Sequence, residues 1–277
     1  GSGMNPIPFY KMSGAGNDFI IIDNRDRKVN EDDLTGFVTG VCRRKMSAGA
    51  DGLILIETSE TQDFRWRFFN SDGSRAEMCG NGARCAARFA HITGIAGSTL
   101  TFETDAGLVR AQVDKERVKV QMPEPSDLKL AYALEVPDRS LEISSINTGV
   151  PHVVVFVDQV DDVDVVTLGR DIRFHQSFAP AGTNANFVER SQGNAIKLRT
   201  YERGVEDETL ACGTGAIASA IISAQRFKIQ SPVTVETRSG VQLTIYFDVT
   251  DGHYHGVYME GDARIIYTGE LRPDAWR

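Results

Sequence analysis

One short phrase occurs twice in this chain of 277 residues, as CGNGA at residues 79–83 and as CGTGA at residues 212–216. Each copy places a cysteine, Cys79 or Cys212, directly before a glycine-containing turn that leads into an apolar segment of helical character. The first N–H groups of a helix have no intrahelical partner and carry partial positive charge, so they stabilise anions. A thiol at such a position loses its proton more easily than a free cysteine does. The phrase therefore predicts two activated thiols, each at the start of a helix.

The repeat extends beyond the two cysteines. Residues 98–107 (STLTFETDAG) match residues 231–240 (SPVTVETRSG) at the same offset, with five of ten positions identical. Upstream, residues 16–23 (GNDFIIID) correspond to residues 151–158 (PHVVVFVD) after a slight shift in offset. A period this long exceeds that of solenoid repeats, so each copy is predicted to be a domain. We place the N-terminal domain at residues 4–128, with residues 265–277 returning to it, and the C-terminal domain at residues 129–264.

Composition narrows the class of protein. With 41% apolar and 25% charged residues, the chain has the composition of an ordinary globular protein. Its formal net charge is −8 and it has no basic run, which argues against nucleic-acid binding. No apolar run approaches the length of a membrane span. Four cysteines in a chain of this length do not make a disulfide framework, so a cytoplasmic location is expected.

Hydrophobic periodicity predicts a similar order of elements in the two halves. Helices are predicted at residues 31–45, 79–91, 165–172 and 213–227, with Asn30 as the N-cap of the first. Strands are predicted at residues 19–23, 53–57, 64–70, 99–104, 108–113 and 118–122, and again at 153–158, 186–189, 196–202, 233–237, 241–247 and 256–260. A further strand at residues 263–267 is expected to return to the first domain. The segment PEP at residues 123–125 marks the boundary.

Two thiols of this kind suit proton transfer at a carbon next to a carboxylate. Removal of a proton from that carbon builds negative charge on the carboxylate oxygens, which N–H groups at Gly80, Asn81, Gly213 and Thr214 are placed to hold. One cysteine, as a thiolate, takes the proton, and the other, as a thiol, returns a proton to the opposite face. Such a reaction inverts the carbon and suits a duplicated scaffold.

The sequence supports other roles for the cysteines less well. Cys42 and Cys85 are predicted to be buried small hydrophobic residues, the usual role of a lone cysteine. A structural disulfide between Cys79 and Cys212 is a further alternative. A zinc site is disfavoured because neither CxxC nor HExxH spacing occurs.

The chain resembles the diaminopimelate epimerases from about Lys11 to about Gly269. The resemblance rests on MSGAGNDF at residues 12–19, FNSDGS at 69–74, CGNGARC at 79–85, YERG at 201–204 and ACGTGA at 211–216. It implies an α/β (α+β) fold of two pseudo-symmetric domains, each a curved, mostly antiparallel sheet wrapped around a central helix, with the active site in the interdomain cleft. It also implies epimerisation of LL-2,6-diaminopimelate to the meso isomer, in lysine and peptidoglycan precursor biosynthesis, without pyridoxal phosphate, another cofactor or a metal, by a cytoplasmic homodimer.

The resemblance also assigns roles to residues. Cys79 and Cys212 take the catalytic positions, and His152 and Glu202 take positions that tune them. The substrate-binding positions are Asn17, Asn70, Gly80, Asn81, Asn184, Glu202, Arg203, Gly213 and Thr214. Adjacent Glu202 and Arg203 suit the ammonium and carboxylate groups of a second amino-acid head. Two positions depart from the family pattern, because Val150 replaces an asparagine found in many members and Gly52 replaces a glutamine found in some.

Three other functions fit parts of the pattern. Proline and hydroxyproline racemases have a similar fold and cysteine pair, but they usually carry histidine after the first Cys-Gly and Ser-Pro before the second cysteine. This chain has Asn81 and Leu210-Ala211 there instead. A thiol redox switch would use Cys79 and Cys212 as a reversible disulfide. A non-catalytic amino-acid-binding module would tolerate replacement of Cys79 by serine.

Overall fold

The computed structural model describes residues 5–76, 78–210 and 212–277. Tertiary contacts divide the chain into two compact units, unit 1 with residues up to 120 and residues 261–277, and unit 2 with residues 121–260. The first boundary therefore lies at Gln121 rather than after residue 128, because the backbone N–H of Met122 already donates to the Val257 carbonyl of unit 2 (2.8 Å). Within the described ranges, no helix is both long and apolar enough to span a membrane.

The secondary structure follows the order expected from the repeat. The first half contains β1 (Ile7–Gly14), β2 (Asn17–Asp23), α1 (Leu34–Cys42), β3 (Gly52–Glu57), β4 (Phe64–Asn70), α2 (Gly80–Ile92), β5 (Thr99–Thr104), β6 (Gly107–Asp114) and β7 (Arg117–Gln121). The second half contains β8 (Ser126–Val136), β9 (Arg139–Asn147), β10 (Pro151–Phe156), α3 (Val165–Arg173), β11 (Asn184–Arg190), β12 (Ala195–Glu202), β13 (Asp207–Thr209), α4 (Gly213–Phe227), β14 (Val233–Glu236), β15 (Gln242–Thr250), β16 (His253–Asp262) and β17 (Arg264–Leu271).

The two units have the same strand topology, which confirms the predicted duplication. In unit 1, strands β1 and β2 are antiparallel, β2 and β3 parallel, β3 and β4 antiparallel, β4 and β5 parallel, and β5 and β6 antiparallel. In unit 2, the pairs β9–β10, β10–β11, β11–β12, β12–β14 and β14–β15 repeat that order of senses. In each unit one further strand pairs beyond this series. In unit 1 it is β17, which comes last in the chain and pairs with β1, and in unit 2 it is β8, which pairs with β9.

One helix in each unit is enclosed by strands, as predicted. Helix α2 packs against β1, β2, β3 and β6, and α4 packs against β9–β12, β14 and β15. Every residue of α4 from Gly215 to Ala224 is buried, and most of them are alanine, serine or isoleucine. The small side chains bring the strands close to the helix on all sides, so α2 and α4 are held rigidly and their first residues are fixed in position.

Each unit has another helix, α1 in unit 1 and α3 in unit 2, which lies on the face of the sheet that is turned away from the enclosed helix. In β10, Val154 belongs to the hydrophobic cluster around α4, whereas Val153 and Val155 belong to the cluster that contains α3 residues. Both faces of the strand are covered, which explains its uninterrupted apolar sequence. Cys42 packs in the α1 cluster and Cys85 is fully buried in α2, as expected for structural cysteines.

The predicted start and end of the first helix were wrong. Helix α1 begins after Asp33, whose carboxylate accepts a hydrogen bond from the Gly36 N–H (3.1 Å), so Asp33 and not Asn30 is the N-cap. The Asn30 side chain instead closes a turn by accepting from the Asp32 N–H (2.9 Å). Arg43 adopts an extended conformation and ends the helix before Lys45. Strands β1, β8, β9 and β13 were not predicted, and the mostly exposed pattern of β8 explains why periodicity did not indicate it.

Candidate functional site

In unit 1, predicted site residues lie at one edge of the sheet. Strand β2 begins at Asn17, β3 begins at Gly52, and β4 ends at Asn70. The strand register pairs Phe19 with Gly52 and Gly52 with Asn70, so these positions are neighbours across three strands. The edge therefore collects short amide side chains in the unit whose central helix begins after Cys79.

Unit 2 has the corresponding edge with different chemistry. There β10 begins at Pro151 with His152 as its second residue, β11 begins at Asn184, and β12 ends at Glu202. His152 pairs with Asn184 in the register, and Ala185 pairs with Tyr201 beside Glu202. The duplication thus places an imidazole and a carboxylate where unit 1 has two amides.

Cys79 is the N-cap of α2, as predicted. Its sulfur accepts a hydrogen bond from the Gly82 N–H (3.5 Å), and the thiol is partly exposed. Burial raises the pKa of the Cys79 thiol, while the backbone N–H groups of Gly82 and Asn81 and the charge of Arg84 act to lower that pKa. The prediction that a thiol at this position loses its proton more easily is therefore wrong in its net direction, because burial outweighs the helix start, which offsets only part of the cost of forming a thiolate.

The amide side chains of Asn17 and Asn81 are joined to each other. Asn81 Nδ2 donates to Asn17 Oδ1 (2.6 Å), which ties the start of β2 to the first turn of α2. Both residues were predicted to bind substrate, and both are half-buried beside Cys79. Asn70 is exposed, and its amide donates to the Ser74 hydroxyl (3.0 Å) within the turn that follows β4. A role for Asn70 in substrate binding stays a prediction.

Cys212 is the N-cap of α4 and is buried more deeply than Cys79. Burial and the neighbouring carboxylate of Glu202 raise the pKa of the Cys212 thiol to about 11, against the lowering effect of Thr214 and the Gly215 N–H. The thiol is hydrogen-bonded to Glu202, whose own pKa is raised by burial. A thiol that donates to a carboxylate is held protonated, so this environment favours the neutral form of Cys212.

His152 is linked to Cys212 through the Thr214 hydroxyl and not by direct contact. The imidazole is fully buried, and its Nε2 lies 2.8 Å from the Thr214 hydroxyl, which in turn lies 3.6 Å from the Cys212 sulfur. Burial, with a smaller contribution from Arg203, lowers the pKa of His152 to about 3, so the ring is neutral at physiological pH. That His152 tunes Cys212 stays a prediction, and the two hydrogen bonds of the Thr214 hydroxyl are the contacts by which it would do so.

The buried amide of Asn186 fixes the tautomer of that histidine. Asn186 Nδ2 lies 3.0 Å from the Val153 carbonyl, which only accepts, and 3.0 Å from His152 Nδ1. Asn186 Oδ1 accepts from the Thr200 hydroxyl (2.9 Å), which confirms the orientation of the amide. His152 Nδ1 is therefore the acceptor and Nε2 carries the proton. The Thr214 hydroxyl accepts from Nε2 and keeps its own proton for the Cys212 sulfur.

Gly215 allows this chain of hydrogen bonds to pack against the helix start. A Cβ atom at Gly215 would lie 2.5 Å from Asn186 Oδ1 and 3.3 Å from the Cys212 sulfur. Real Cβ atoms do not come that close to a buried amide oxygen, so only glycine fits here. At the matching position of unit 1, a Cβ at Gly82 would meet Ile54 at an ordinary 3.5 Å.

The other predicted binding residues of unit 2 have structural partners as well. Asn184 is buried, and its amide bridges the Pro151 carbonyl (2.9 Å) and the Arg203 N–H (2.7 Å). The Arg203 guanidinium donates to the Ala181 carbonyl (3.3 Å). The amide of Asn184 thus positions the backbone of Arg203. Direct contact of these two residues with substrate, like that of Gly80 and Gly213, stays a prediction.

One position that departs from the family pattern has a physical explanation. A Cβ atom at Gly52 would lie 2.7 Å from the Phe68 ring and 2.8 Å from the Phe69 carbonyl, so this packing admits no side chain there. Val150 is half-buried and accepts a hydrogen bond through its carbonyl from the Thr148 N–H (3.2 Å). Its isopropyl group offers no hydrogen bond to a ligand.

Sequence reasoning missed several residues that organise the site. Asn186 and Thr200 complete the contacts of His152, and Asp51 and Arg84 complete those of the unit 1 amides. Asn184 and Asn186 are two positions apart on β11, and a second polar residue on one face of an otherwise apolar strand was a usable signal. Arg84 inside an alanine-rich helical segment was another. Ala211, which belongs to one of the motifs, lies outside the described residues.

The four cysteines are free thiols in this structure. Across the part of the chain that the structure describes, no group of three or more His, Cys, Asp or Glu side chains is placed to hold a metal ion. Each unit by itself places a thiol, amide side chains and backbone N–H groups at the start of its central helix, and unit 2 adds the Thr214 hydroxyl, the His152 imidazole and the Glu202 carboxylate. These groups suit the binding of a carboxylate and the transfer of protons.

Comparison with known proteins identifies relatives of the chain. The chain is 48% identical to the diaminopimelate epimerase of Aquifex aeolicus, over 96% of this chain and 98% of that protein, and 43% identical to that of Chlorobaculum tepidum, over 94% and 99%. Its fold resembles that of a Bacillus anthracis phenazine biosynthesis protein of the PhzF family, with a TM-score of 0.70 at 18% identity over 97% of this chain and 99% of that one. The family model named Diaminopimelate epimerase matches residues 9–127 and 144–266. The chain therefore belongs to the diaminopimelate epimerase family.

Proposed function

We propose that this protein converts LL-2,6-diaminopimelate to the meso isomer by inverting one α-carbon without a cofactor. The observation that carries the proposal is the placement of Cys79 and Cys212 as N-caps of the equivalent, strand-enclosed helices of two duplicated units. Relatives that are 40–48% identical over nearly the whole chain are named diaminopimelate epimerases, which supports the choice of substrate.

The proposed reaction has two proton transfers. A thiolate takes the α-proton, so that the C–H bond breaks, an S–H bond forms and the electron pair moves onto the substrate carboxylate. The thiol of the other cysteine then protonates the opposite face of the carbon and becomes a thiolate. The roles of Cys79 and Cys212 are exchanged in the reverse direction. Each acid or base contributes roughly 10²–10⁴-fold to the rate.

Burial of the thiols supports this chemistry. An α-carbon beside a carboxylate is a very weak acid, so an ordinary thiolate is poorly matched to it. Burial raises the pKa of both Cys79 and Cys212, and a thiolate with a raised pKa is a stronger base. The N–H groups at each helix start stabilise negative charge on sulfur and on the substrate carboxylate alike.

The neighbours of Cys212 control its proton. Glu202 accepts a hydrogen bond from the thiol while Cys212 is neutral. The Thr214 hydroxyl donates a hydrogen bond to the sulfur once the thiol has lost its proton. Neutral His152 holds the Thr214 hydroxyl in the donating orientation. We propose that Arg203 and Glu202 also bind the second amino-acid head of the substrate. Glu202 then has two tasks, since its carboxylate already contacts Cys212.

Proton exchange with solvent tests the proposal most directly. The reduced protein is incubated with LL-diaminopimelate in deuterated water, and the product is examined by NMR and chiral chromatography. We expect meso product with deuterium at one α-carbon, and we expect Cys79→Ser and Cys212→Ser each to lose most turnover. Folded, fully reduced protein that exchanges no α-proton would refute the proposal. A parallel reaction with L-proline tests the racemase alternative, because inversion of proline alone would reassign the substrate.

Redox treatment separates the enzyme from a thiol switch. An epimerase is expected to gain activity on reduction, because a disulfide removes both proton carriers. A binding or signalling function that appears only in the oxidised protein would favour the switch instead. The expected homodimer is a separate prediction, tested by the mass in solution from light scattering, and the cytoplasmic location likewise stays a prediction.

A further inference from the structure

Unit 1 contains a buried cation that the proposed reaction has not used. Arg84 lies on α2, one helical turn beyond Asn81, and its side chain has no solvent exposure. Its hydrogen bonds go to uncharged acceptors, from Nε to the Asp262 carbonyl (3.0 Å) and from Nη2 to Asn81 Oδ1 (2.7 Å). Nη1 has no hydrogen-bond partner among the described residues. Burial of a guanidinium without a carboxylate contact is costly, which points to a role beyond packing.

Arg84 is one end of a directed chain of hydrogen bonds. The guanidinium donates to Asn81 Oδ1, Asn81 Nδ2 donates to Asn17 Oδ1 (2.6 Å), and Asn17 Nδ2 donates to the Asp51 carboxylate (3.2 Å). An arginine only donates and a carboxylate only accepts, so the two ends fix the direction of both amides. Each amide keeps one further N–H that these contacts do not use. The half-site of Cys79 is thus built to donate hydrogen bonds.

Unit 2 lacks this cation. The residue that corresponds to Arg84 in the repeat is Ile217, which is buried. Among the described residues, the carboxylate of Glu202 is a charged neighbour of Cys212 and raises the pKa of its thiol. The two units therefore share a backbone arrangement, but the same helix position is a cation that favours the thiolate in unit 1 and an apolar residue in unit 2, where a carboxylate disfavours the thiolate.

We propose that Arg84 is a positioning residue of the Cys79 half-site, which orients the amides of Asn81 and Asn17 as donors and places a positive charge behind the helix start. The amides serve the anionic group of a substrate, so this part of the inference rests on the proposed function. The charge serves the thiolate of Cys79. Charged and titratable groups that face Cys79 or Arg84 are Asp51, Cys85, Asp262 and Arg117. Asp51 opposes Arg84 at the sulfur, and the effect of Arg84 on Cys79 is favourable to the thiolate.

Site-resolved alkylation tests the charge independently of catalysis. The rate of modification of each cysteine by iodoacetamide is measured against pH by peptide mass spectrometry, for wild type, Arg84→Gln and Arg84→Lys. Arg88→Gln is the matched control, because Arg88 lies one turn further along α2 and donates to the Ala263 carbonyl (2.6 Å) without contacting an amide of the site. Folding is checked by thermal unfolding of each variant.

We expect the midpoint for Cys79 to rise by about one pH unit in Arg84→Gln, and to stay near wild type in Arg84→Lys and Arg88→Gln. The midpoint for Cys212 should be unchanged in all three variants. Both Arg84 variants should raise KM for diaminopimelate several-fold with a smaller change in kcat, because Asn81 loses its fixed donor.

An Arg84→Gln midpoint that moves no further than that of Arg88→Gln would overturn the inference. Should Arg84→Gln not fold, Arg84→Lys decides, since a wild-type KM there would show that the hydrogen bond from the guanidinium to Asn81 Oδ1 has no positioning role. The alkylation result stands whether or not diaminopimelate is the substrate. Failure of the proposed function and failure of this inference are therefore distinguishable.

Discussion

Replacement of Thr214 by valine removes one hydroxyl from the contacts of Cys212 and leaves the shape of the side chain unchanged. The hydroxyl is the link between His152 Nε2 at 2.8 Å and the Cys212 sulfur at 3.6 Å. A hydrogen bond to a charged group contributes about 1.5–3 kcal/mol. One pKa unit corresponds to about 1.4 kcal/mol, so loss of this bond should raise the pKa of Cys212 by about one to two further units, beyond the increase that burial and Glu202 already cause.

The expected result is a loss of Cys212 reactivity. Far below the pKa, the thiolate fraction falls tenfold for each unit by which the pKa rises, so alkylation of Cys212 at pH 8 should slow roughly 10–100-fold. We expect kcat/KM to fall by a smaller factor, because the thiolate that does form is a stronger base, while Cys79 alkylates as in wild type. Thr148→Val is the matched control, because the Thr148 hydroxyl donates to the backbone carbonyl of Thr214 (2.8 Å) and not to the sulfur.

Two outcomes would refute this reasoning. If Cys212 in Thr214→Val alkylates at the wild-type rate, the hydroxyl does not stabilise the thiolate. If Thr148→Val slows Cys212 as much as Thr214→Val does, the effect comes from disturbance of the helix start and not from the bond to sulfur. The stability of each variant, measured by chemical unfolding, shows whether the comparison is made between folded proteins.

Three further predictions follow from packing and charge. Gly215→Ala should destabilise the protein by about 1–3 kcal/mol, because the new Cβ would overlap Asn186. Gly82→Ala should lower the free energy of unfolding by less, and equal unfolding free energies for the two variants would contradict this. The pKa of His152 is lowered to about 3 by burial, so the stability that the neutral ring provides is lost as pH falls from about 6.5 toward 3, by up to about 1.4 kcal/mol per pH unit. His152→Gln should flatten that slope in unfolding measured against pH, and an unchanged slope would show that other groups cause it. Lys11 and Arg44 hold the pKa of the Asp18 carboxyl well below its usual range, so the stabilising effect of Asp18 is present above about pH 4 and is lost on acidification. The difference in Tm between wild type and Asp18→Asn should therefore shrink as pH falls. A difference in Tm that stays constant with pH would be inconsistent with this ion cluster.

The parts of the site set by local sequence were predictable. A cysteine, a glycine turn and an apolar helical segment are contiguous in the chain, so Cys79 and Cys212 were placed at helix starts, and α4 has the predicted bounds of Gly213–Phe227. The first helix was less well predicted because Asn30 and Asp33 are both good N-caps, and the choice between them depends on tertiary contacts.

The parts set by strand pairing were not predictable. Asn186 reaches His152 because β10 and β11 are parallel with a particular register, and Asp51 reaches Asn17 across the start of β2 and β3. The polar residue Asn186 is visible on an otherwise apolar strand, but no local pattern in the sequence indicates the partner of either side chain. The same limit applies to the boundary between units, which depends on the pairing of β8 with β9.

Duplication alone does not make two thiols equivalent. The repeat gives each cysteine a helix start and a set of N–H donors, which is what a reversible inversion needs from both sides. The surroundings then differ in sign, since Arg84 lies behind Cys79 and Glu202 contacts Cys212. A two-base reaction begins only if one thiol is ionised while the other keeps its proton. In the reaction proposed above, a cation that acts on Cys79 and a carboxylate that acts on Cys212 would favour the thiolate at Cys79 and the thiol at Cys212. The proposed chemistry therefore draws on the divergence of the two copies as well as on their symmetry.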